Sequence, residues 1–166
     1  MIRVAEEADW PAVLEVHRLA FGDEDVPRLV AELREARLDV PSLSFVAVAE
    51  GRVVGNVMNS WVGVEGSDAR LLQLSPLGVH PGFQRQGHGA ALVRASLAGA
   101  RALGEPLLLL EGNPRYYGRF GFVRADELGL LPPPEALYDW AFQVAVLDRR
   151  AELPQGRVVY SEPFRH

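Results

Sequence analysis

The sequence contains no cysteine among its 166 residues. A chain without cysteine forms no disulfide framework, binds no metal through thiolates and has no cysteine nucleophile. It also has no apolar run of ~18 residues, the length that a membrane-spanning helix needs. The segment MIRVAEEADW carries acidic side chains where a signal peptide has an apolar core. These absences predict a cytoplasmic protein without a membrane segment.

Basic residues are outnumbered, with 17 Lys and Arg against 22 Asp and Glu and a formal net charge of −5. Proteins that wrap nucleic acid need a basic face, so we expect no nucleic-acid partner. No group of histidines and acids has metal-ligand spacing, so we expect no metal. Hydrophobic residues at 48% and charged residues at 23% are the ordinary mixture of a globular protein. The length suits a single domain over residues 1–166.

Hydrophobic spacing in the first half predicts strands and helices. Residues 2–5 are a strand candidate, and two amphipathic helices follow, the first with Asp9 as its N-cap. Glu50-Gly51 joins two β-branched runs, as in an antiparallel hairpin. The next run, RLLQLSPLGV, contains Pro76, which cannot donate a ladder hydrogen bond. We therefore expect a bulged or unpaired strand near Pro76.

The second half begins with a predicted helix over residues 87–103, which Gly104 ends. The run LLLL at 107–110 is apolar without alternation, which indicates a strand covered on both faces and favours parallel pairing. A short helix at Asn113-Pro114 and late strands in WAFQVAVL and RVVYSEPF complete the pattern. The predicted fold class is α/β (α+β), with a mixed, mostly antiparallel sheet of about six or seven strands flanked by helices.

The glycine-rich segment GVHPGFQRQGHGA lies between a predicted strand and a predicted helix. Free N–H groups and the positive end of the dipole make a helix N-terminus favourable for an anion, phosphate above all. Glycines at 87 and 89 allow close approach of the backbone, and Arg85 adds charge-assisted hydrogen bonds. The segment is therefore predicted to bind a phosphate group.

Two well-known phosphate loops fit this segment poorly. A P-loop needs lysine and then serine or threonine after its last glycine, whereas Gly89 is followed by Ala90-Ala91. A dinucleotide fingerprint needs a small residue where Leu92 stands and should follow its strand at once. Glu111 does stand where a ribose-binding acid would, so a dinucleotide-dependent oxidoreductase is kept as an alternative.

Residues 84–90, QRQGHGA, resemble the Q/R-x-x-G-x-G/A pyrophosphate loop of the GNAT superfamily of acyl-CoA N-acetyltransferases. The segment EGNPRYYGRFGF resembles the asparagine, tyrosine and terminal Gly-Phe of that superfamily, and YYGRFGF together with VVYSEPF is similar to a bacterial branch of uncharacterised predicted acetyltransferases. The likeness covers about residues 2–146. It implies acetyl-CoA as co-substrate and a sheet splayed between two central parallel strands, ending near Val79 and Leu110, with pantetheine in the gap. Homodimers are common in the superfamily.

The resemblance implies roles for individual residues. Tyr117 stands four residues before Gly121, where the superfamily places the tyrosine that protonates the leaving thiolate, so it is the predicted catalytic residue. Tyr116 is expected to pack or to contact the cofactor, and Asn113 either binds pantetheine or caps its helix. The predicted cofactor-binding residues are Leu77, Gly78, Val79, Gln84, Arg85, Gln86, Gly87, His88, Gly89, Ala90, Asn113 and Tyr116.

The implied reaction is acetyl transfer to a primary amine of a small molecule or protein. Attack is expected to be direct, since the chain offers no cysteine and no serine in a nucleophile motif. Backbone N–H near Val79 would polarise the thioester carbonyl. The general base stays open among Glu111, Gln73, Ser75 and Glu65.

Three further residues have plainer interpretations. His17 is expected to be a partly buried core residue, Trp61 to pack or to line an acceptor pocket, and His80 to lie at the surface. The competing function from another class is a sensor that binds acyl-CoA without catalysis. The identity of the acceptor cannot be predicted from the sequence.

Overall fold

The computed structural model describes residues 1–165. The chain divides into two compact units that alternate along the sequence. The first unit comprises residues 1–60 and 74–99, and the second comprises residues 61–73 and the chain from residue 100 onward. Two strands and one helix have residues in both units.

The described residues form nine strands and four α-helices. They give the predicted fold class, a mixed α/β protein whose mostly antiparallel sheet is flanked by helices. The strands are β1 (Ile2–Val4), β2 (Phe45–Ala49), β3 (Arg52–Val64), β4 (Arg70–Val79), β5 (Leu107–Glu111), β6 (Val123–Arg124), β7 (Leu130–Leu131), β8 (Phe142–Val146) and β9 (Gly156–Val159). The helices are α1 (Trp10–Phe21), α2 (Asp25–Glu35), α3 (His88–Ala102) and α4 (Pro114–Tyr117). None of these helices is both long and apolar enough to span a bilayer.

In the first unit, α1 and α2 pack against an antiparallel arrangement of β1, β2 and β3. Their apolar faces meet in a cluster that holds Val13 of α1, Val30 of α2, Val46 of β2 and Met58 of β3, all with no exposed surface. Burying each such side chain stabilises the fold by about 1.5–3 kcal/mol. This cluster fixes both helices on the sheet.

Local turn chemistry explains the boundaries of the first unit. Glu50 and Gly51 both have positive φ, 52° and 74°, which is the backbone of the two-residue hairpin turn predicted between β2 and β3. Asp9 occupies the N-cap of α1, but its carboxylate accepts from the Glu6 backbone N–H at 2.7 Å and from Arg3 at 2.7 Å. The Asp9 carboxylate therefore fixes the segment that leads into α1 and makes no capping hydrogen bond to the N–H groups of the helix.

In the second unit, β5 lies between β4 and β8. It pairs antiparallel with β8 from Leu107–Val146 to Glu111–Phe142, and in parallel with β4 at Gln73–Leu109. The four leucines of β5 have at most 1% of their surface exposed. The expectation of a strand covered on both faces is confirmed.

Pro76 lies in a strand that runs unbroken from Arg70 to Val79. The peptide bond between Ser75 and Pro76 is cis. Among the described residues, β4 and β5 pair only at Gln73 and Leu109, three residues before the proline. The pairing of β4 with β5 therefore ends before Pro76, the residue that lacks an N–H group.

Candidate active site

The glycine-rich loop of the first unit connects β4 to α3. Two side chains hold it in place. Gln84 donates its side-chain amide N–H to the Val79 carbonyl at 3.0 Å, and the His80 ring Nδ1 accepts from the Gly82 N–H at 2.9 Å. The loop therefore has a fixed shape, to which His80 contributes from a half-buried position.

The exposed part of this loop has a backbone suited to a ligand. Arg85 and Gly87 have φ of 63° and 87°, in the left-handed region that few side-chain-bearing residues adopt. A Cβ at Gly87 would meet no atom within 4 Å, so the space beside it is open. The Arg85 side chain is exposed, and the described residues give it no ion pair. Gln84, Arg85, Gln86 and Gly87 thus lie at the surface, while His88, Gly89 and Ala90 form the half-buried first turn of α3.

The end of β4 is packed against α1 within the first unit. Gly78 is buried, and a Cβ on it would lie 2.6 Å from Nδ1 of His17. Only glycine fits this position unless the His17 ring moves. Leu77 and Val79, the other predicted cofactor contacts on β4, are half-buried.

His17 is fully buried, although the sequence suggested partial burial. Its Nε2 lies 2.8 Å from the Asn56 side-chain oxygen, while the Asn56 amide N–H groups donate to the carbonyls of Phe45 and Val57. Because that oxygen only accepts, Nε2 carries the proton and Nδ1 is an unprotonated acceptor. Nδ1 has no hydrogen-bond partner among residues 1–165. Sequence reasoning missed this network because it joins residues 39 positions apart.

Burial lowers the pKa of His17, and the hydrogen bond to Asn56 opposes this only in part. Below pH ~6.5 the His17 side chain binds a proton in the unfolded chain but not in the folded chain. The free energy of unfolding should therefore fall as the pH is lowered. The slope is at most about 1.4 kcal/mol per pH unit for one proton. Urea titrations between pH 5 and 8 should show this slope in the wild-type protein and a flatter one in His17→Gln. Equal slopes would contradict the prediction.

In the second unit, α4 follows β5 after a tight turn. The Asn113 side chain caps this helix by accepting from the Arg115 N–H at 2.9 Å. Its capping role is therefore present, and the residue is exposed. Contact with pantetheine stays a prediction for Asn113.

The ring of Tyr117 packs against backbone. A Cβ on Gly112 would overlap the Tyr117 ring, and the rings of Phe120 and Phe122 stand at centroid distances of 6.3 and 5.9 Å. Burial raises the pKa of Tyr117 to about 12, with a smaller contribution from Tyr116. Tyr117 is therefore a neutral phenol at neutral pH.

Tyr116 has different surroundings. Its ring meets that of Tyr117 edge-on at 4.9 Å, and the guanidinium of Arg119 lies 4.7 Å above it. The ring is held between Arg119 and the aromatic residues of the turn. This is the packing role expected of Tyr116, and its contact with cofactor stays a prediction.

Glu111, the last residue of β5, accepts a hydrogen bond from the Tyr160 hydroxyl. Tyr160 is 5% exposed, and its pKa is raised by burial and further by Glu111, so it remains a donor. Gln73 is also buried here and has an unpartnered side-chain oxygen. Sequence reasoning named Glu111 and Gln73 but missed Tyr160, which lies 49 residues from its partner.

The remaining candidates for a general base or an acceptor pocket have simpler environments. Ser75 is half-buried in β4, and Glu65 is exposed. The Arg70 guanidinium lies 4.0 Å above the ring of Trp61, so the tryptophan stacks on a neighbouring side chain. Within residues 1–165 no group of three or more histidines and acids could hold a metal ion.

The fold and these segments identify a class of protein. A family model described as an acetyltransferase (GNAT) domain matches residues 1–125. The chain therefore belongs to the GNAT family of acetyltransferases and is an acyltransferase. Family membership decides against the dinucleotide-dependent oxidoreductase.

Individual relatives cover almost the whole chain. The uncharacterized N-acetyltransferase YhbS of Escherichia coli K12 is 33% identical over 169 residues, 99% of this chain and 98% of its own. The crystal structure of E. coli YhbS in complex with CoA has a TM-score of 0.91 at 31% identity and covers 100% of this chain and 92% of that one. A GNAT acetyltransferase of Brucella melitensis, in complex with acetyl-CoA, has a TM-score of 0.81 at 28% identity over 99% and 97% of the chains.

Proposed function

We propose that the protein transfers the acetyl group of acetyl-CoA to a primary amine, with residues 1–166 acting as one acetyltransferase domain. The observation that carries this proposal is the placement of Tyr117, a half-buried phenol on the short helix that follows β5, whose ring is held between Gly112 and Phe122 and whose pKa is raised by burial, so that it carries its proton at neutral pH. Relatives of similar length bind CoA and acetyl-CoA in their crystal structures. Acetyl-CoA is accordingly the proposed co-substrate.

We assign the cofactor contacts to two segments, namely the end of β4 with the loop that follows it, and the short helix α4 with its N-cap. Arg85 and the N–H groups around Gly87 and Gly89 bind the pyrophosphate, because the exposed loop opens onto the first turn of α3. Gln84, Gln86, His88 and Ala90 border that anion. Leu77 to Val79, Asn113 and Tyr116 contact the rest of the cofactor.

The reaction is a direct attack. The free amine nitrogen bonds to the thioester carbonyl carbon, whose oxygen is polarised by backbone N–H near Val79. The C–S bond breaks, and the thiolate takes the hydroxyl proton of Tyr117. The proton that leaves nitrogen passes to solvent, from which Tyr117 is reprotonated. No acetyl-enzyme forms, because the chain has no cysteine and no serine in a nucleophile motif.

Acetyl-CoA should stabilise the folded protein. At a hundredfold excess over Kd a ligand that binds only the native state adds about 2.7 kcal/mol, equivalent to roughly 5–10 °C in Tm for a chain of this size. Thermal-shift titration measures this directly, with NAD at the same concentration as the control. A larger shift with NAD would overturn the proposal.

Turnover is tested by thiol release from acetyl-CoA with a panel of primary amines. Acetylation of one or more amines supports the enzyme. Stabilisation by acetyl-CoA without acetylation of any amine would leave the sensor as the better description.

A further inference from the structure

The second unit contains an open cavity of about 740 Å³ where β5 ends and α4 begins. Its wall is completed by the segment before β8, which supplies Leu137, Tyr138 and Trp140. Cavities of roughly 300–1,000 Å³ are typical of small-molecule sites. This one combines aromatic, anionic and cationic side chains.

The aromatic part of the wall is exposed. Tyr138 and Trp140 stack with ring centroids 5.0 Å apart and planes 17° from parallel, yet 57% of Tyr138 and 48% of Trp140 remain exposed. Leu137 beside them is 84% exposed. Stacked rings left open in a cavity favour a flat apolar group, which gains both burial and ring contact.

The anionic part is Glu111, whose side chain is fixed by the Tyr160 hydroxyl. A carboxylate has about four acceptor sites, so one hydrogen bond leaves the others for an ammonium group. The raised pKa of Tyr160 means that this phenol donates to Glu111 and does not compete with it for protons. The carboxylate is thus oriented and still half-exposed to the cavity.

The cationic part is Arg115, on α4. Its backbone N–H is used by the Asn113 cap, while its side chain is exposed and has no ion pair among residues 1–165. A guanidinium recognises carboxylates through paired N–H groups. Glu111 and Arg115 carry opposite charges in one cavity and are not paired with each other. The cavity therefore suits a ligand that has both a positive and a negative group.

We infer that this cavity binds the acceptor and that the acceptor is an aromatic amino acid. Its ammonium lies at Glu111, its carboxylate at Arg115 and its ring against Tyr138 and Trp140. The inference rests on the proposed function and specifies its substrate class. The step is unchanged: the α-amine loses a proton to solvent, attacks the thioester and becomes an N-acetyl amino acid, with CoA released as the thiol.

Four primary amines separate the contributions of the carboxylate and of the aromatic ring. L-tryptophan has both groups, tryptamine lacks the carboxylate, L-alanine lacks the ring and hexylamine lacks both. We expect kcat/KM for acetylation of L-tryptophan to exceed that of each other probe by about tenfold or more. L-tryptophan no better than L-alanine, or no better than hexylamine, would overturn the inference.

Charge and ring variants test the contacts one at a time. Arg115→Gln should lower kcat/KM about tenfold for L-tryptophan and less than twofold for tryptamine. Trp140→Ala should lower it about tenfold for both indoles but not for L-alanine. Glu111→Gln keeps an oxygen for Tyr160 and should raise KM for every amine. Arg149→Gln and Glu152→Gln, exposed changes of the same kind outside the cavity, should match the wild type.

The outcomes distinguish this inference from the proposed function. Acetylation of hexylamine but not of L-tryptophan leaves the acetyltransferase in place and overturns the aromatic amino acid. An Arg115→Gln effect of equal size on L-tryptophan and tryptamine also overturns it. If no amine is acetylated, the proposed function is wrong, and the inference about the substrate class is then wrong as well.

Discussion

Tyr117→Phe is expected to lower kcat for acetyl transfer by about 100-fold while KM for acetyl-CoA stays nearly constant. General acid catalysis contributes roughly 10²–10⁴-fold, and the lower end applies because a phenol with a pKa of about 12 is a weak acid beside a thiol near 8.5. The ring contacts with Phe120 and Phe122 survive in phenylalanine. Steady-state kinetics with an acceptor found in the amine panel measures the change.

Tyr116→Phe is the matched control, one residue away on the same short helix. Its ring packing with Arg119 and Tyr117 does not involve the hydroxyl, so the rate should change little. An inactive Tyr116→Phe beside an active Tyr117→Phe would assign the proton to Tyr116. Full activity of both variants would show that another donor protonates the thiolate.

Gly87→Val and Gly89→Val are expected to weaken acetyl-CoA binding by at least about 100-fold. In the proposed site each valine would fill space through which the pyrophosphate reaches backbone N–H groups, and charge-assisted hydrogen bonds contribute about 1.5–3 kcal/mol each. Calorimetry on the folded variants measures the affinity. Unchanged affinity in both would place the pyrophosphate elsewhere.

Gly104→Val provides a control for backbone strain. Gly104 and Gly87 have similar φ, 79° and 87°, and a Cβ on either meets no atom within 4 Å. Valine should therefore destabilise the protein by a similar amount at both positions. Only the change at 87 should affect acetyl-CoA binding.

Features set by neighbours in sequence were predictable. The hairpin at Glu50-Gly51, the buried strand β5 and the end of α3 just before Gly104 depend on turn geometry and local patterning, and all three are present. The family was predictable for the same reason, since its loop and its tyrosine segment are each contiguous.

Features that depend on distant contacts were not predictable. The full burial of His17 depends on contacts with Asn56 and Gly78, which approach it only when the sheet forms. The hydrogen bond from Tyr160 to Glu111 was not predictable, because nothing in the sequence near Tyr160 indicates a contact with Glu111. The stacking of Tyr138 on Trp140 was equally hidden, since two aromatic residues between a proline-rich segment and a strand have many possible arrangements.

The contact between Gly112 and the Tyr117 ring offers a filter for choosing homologues to assay. Any side chain at 112 would displace the ring, so a sequence that keeps the tyrosine but replaces the glycine should no longer hold the proposed acid in this position. Searches for active members should therefore require both residues at this spacing. Chains with the tyrosine alone would test whether acetyl transfer survives without this contact.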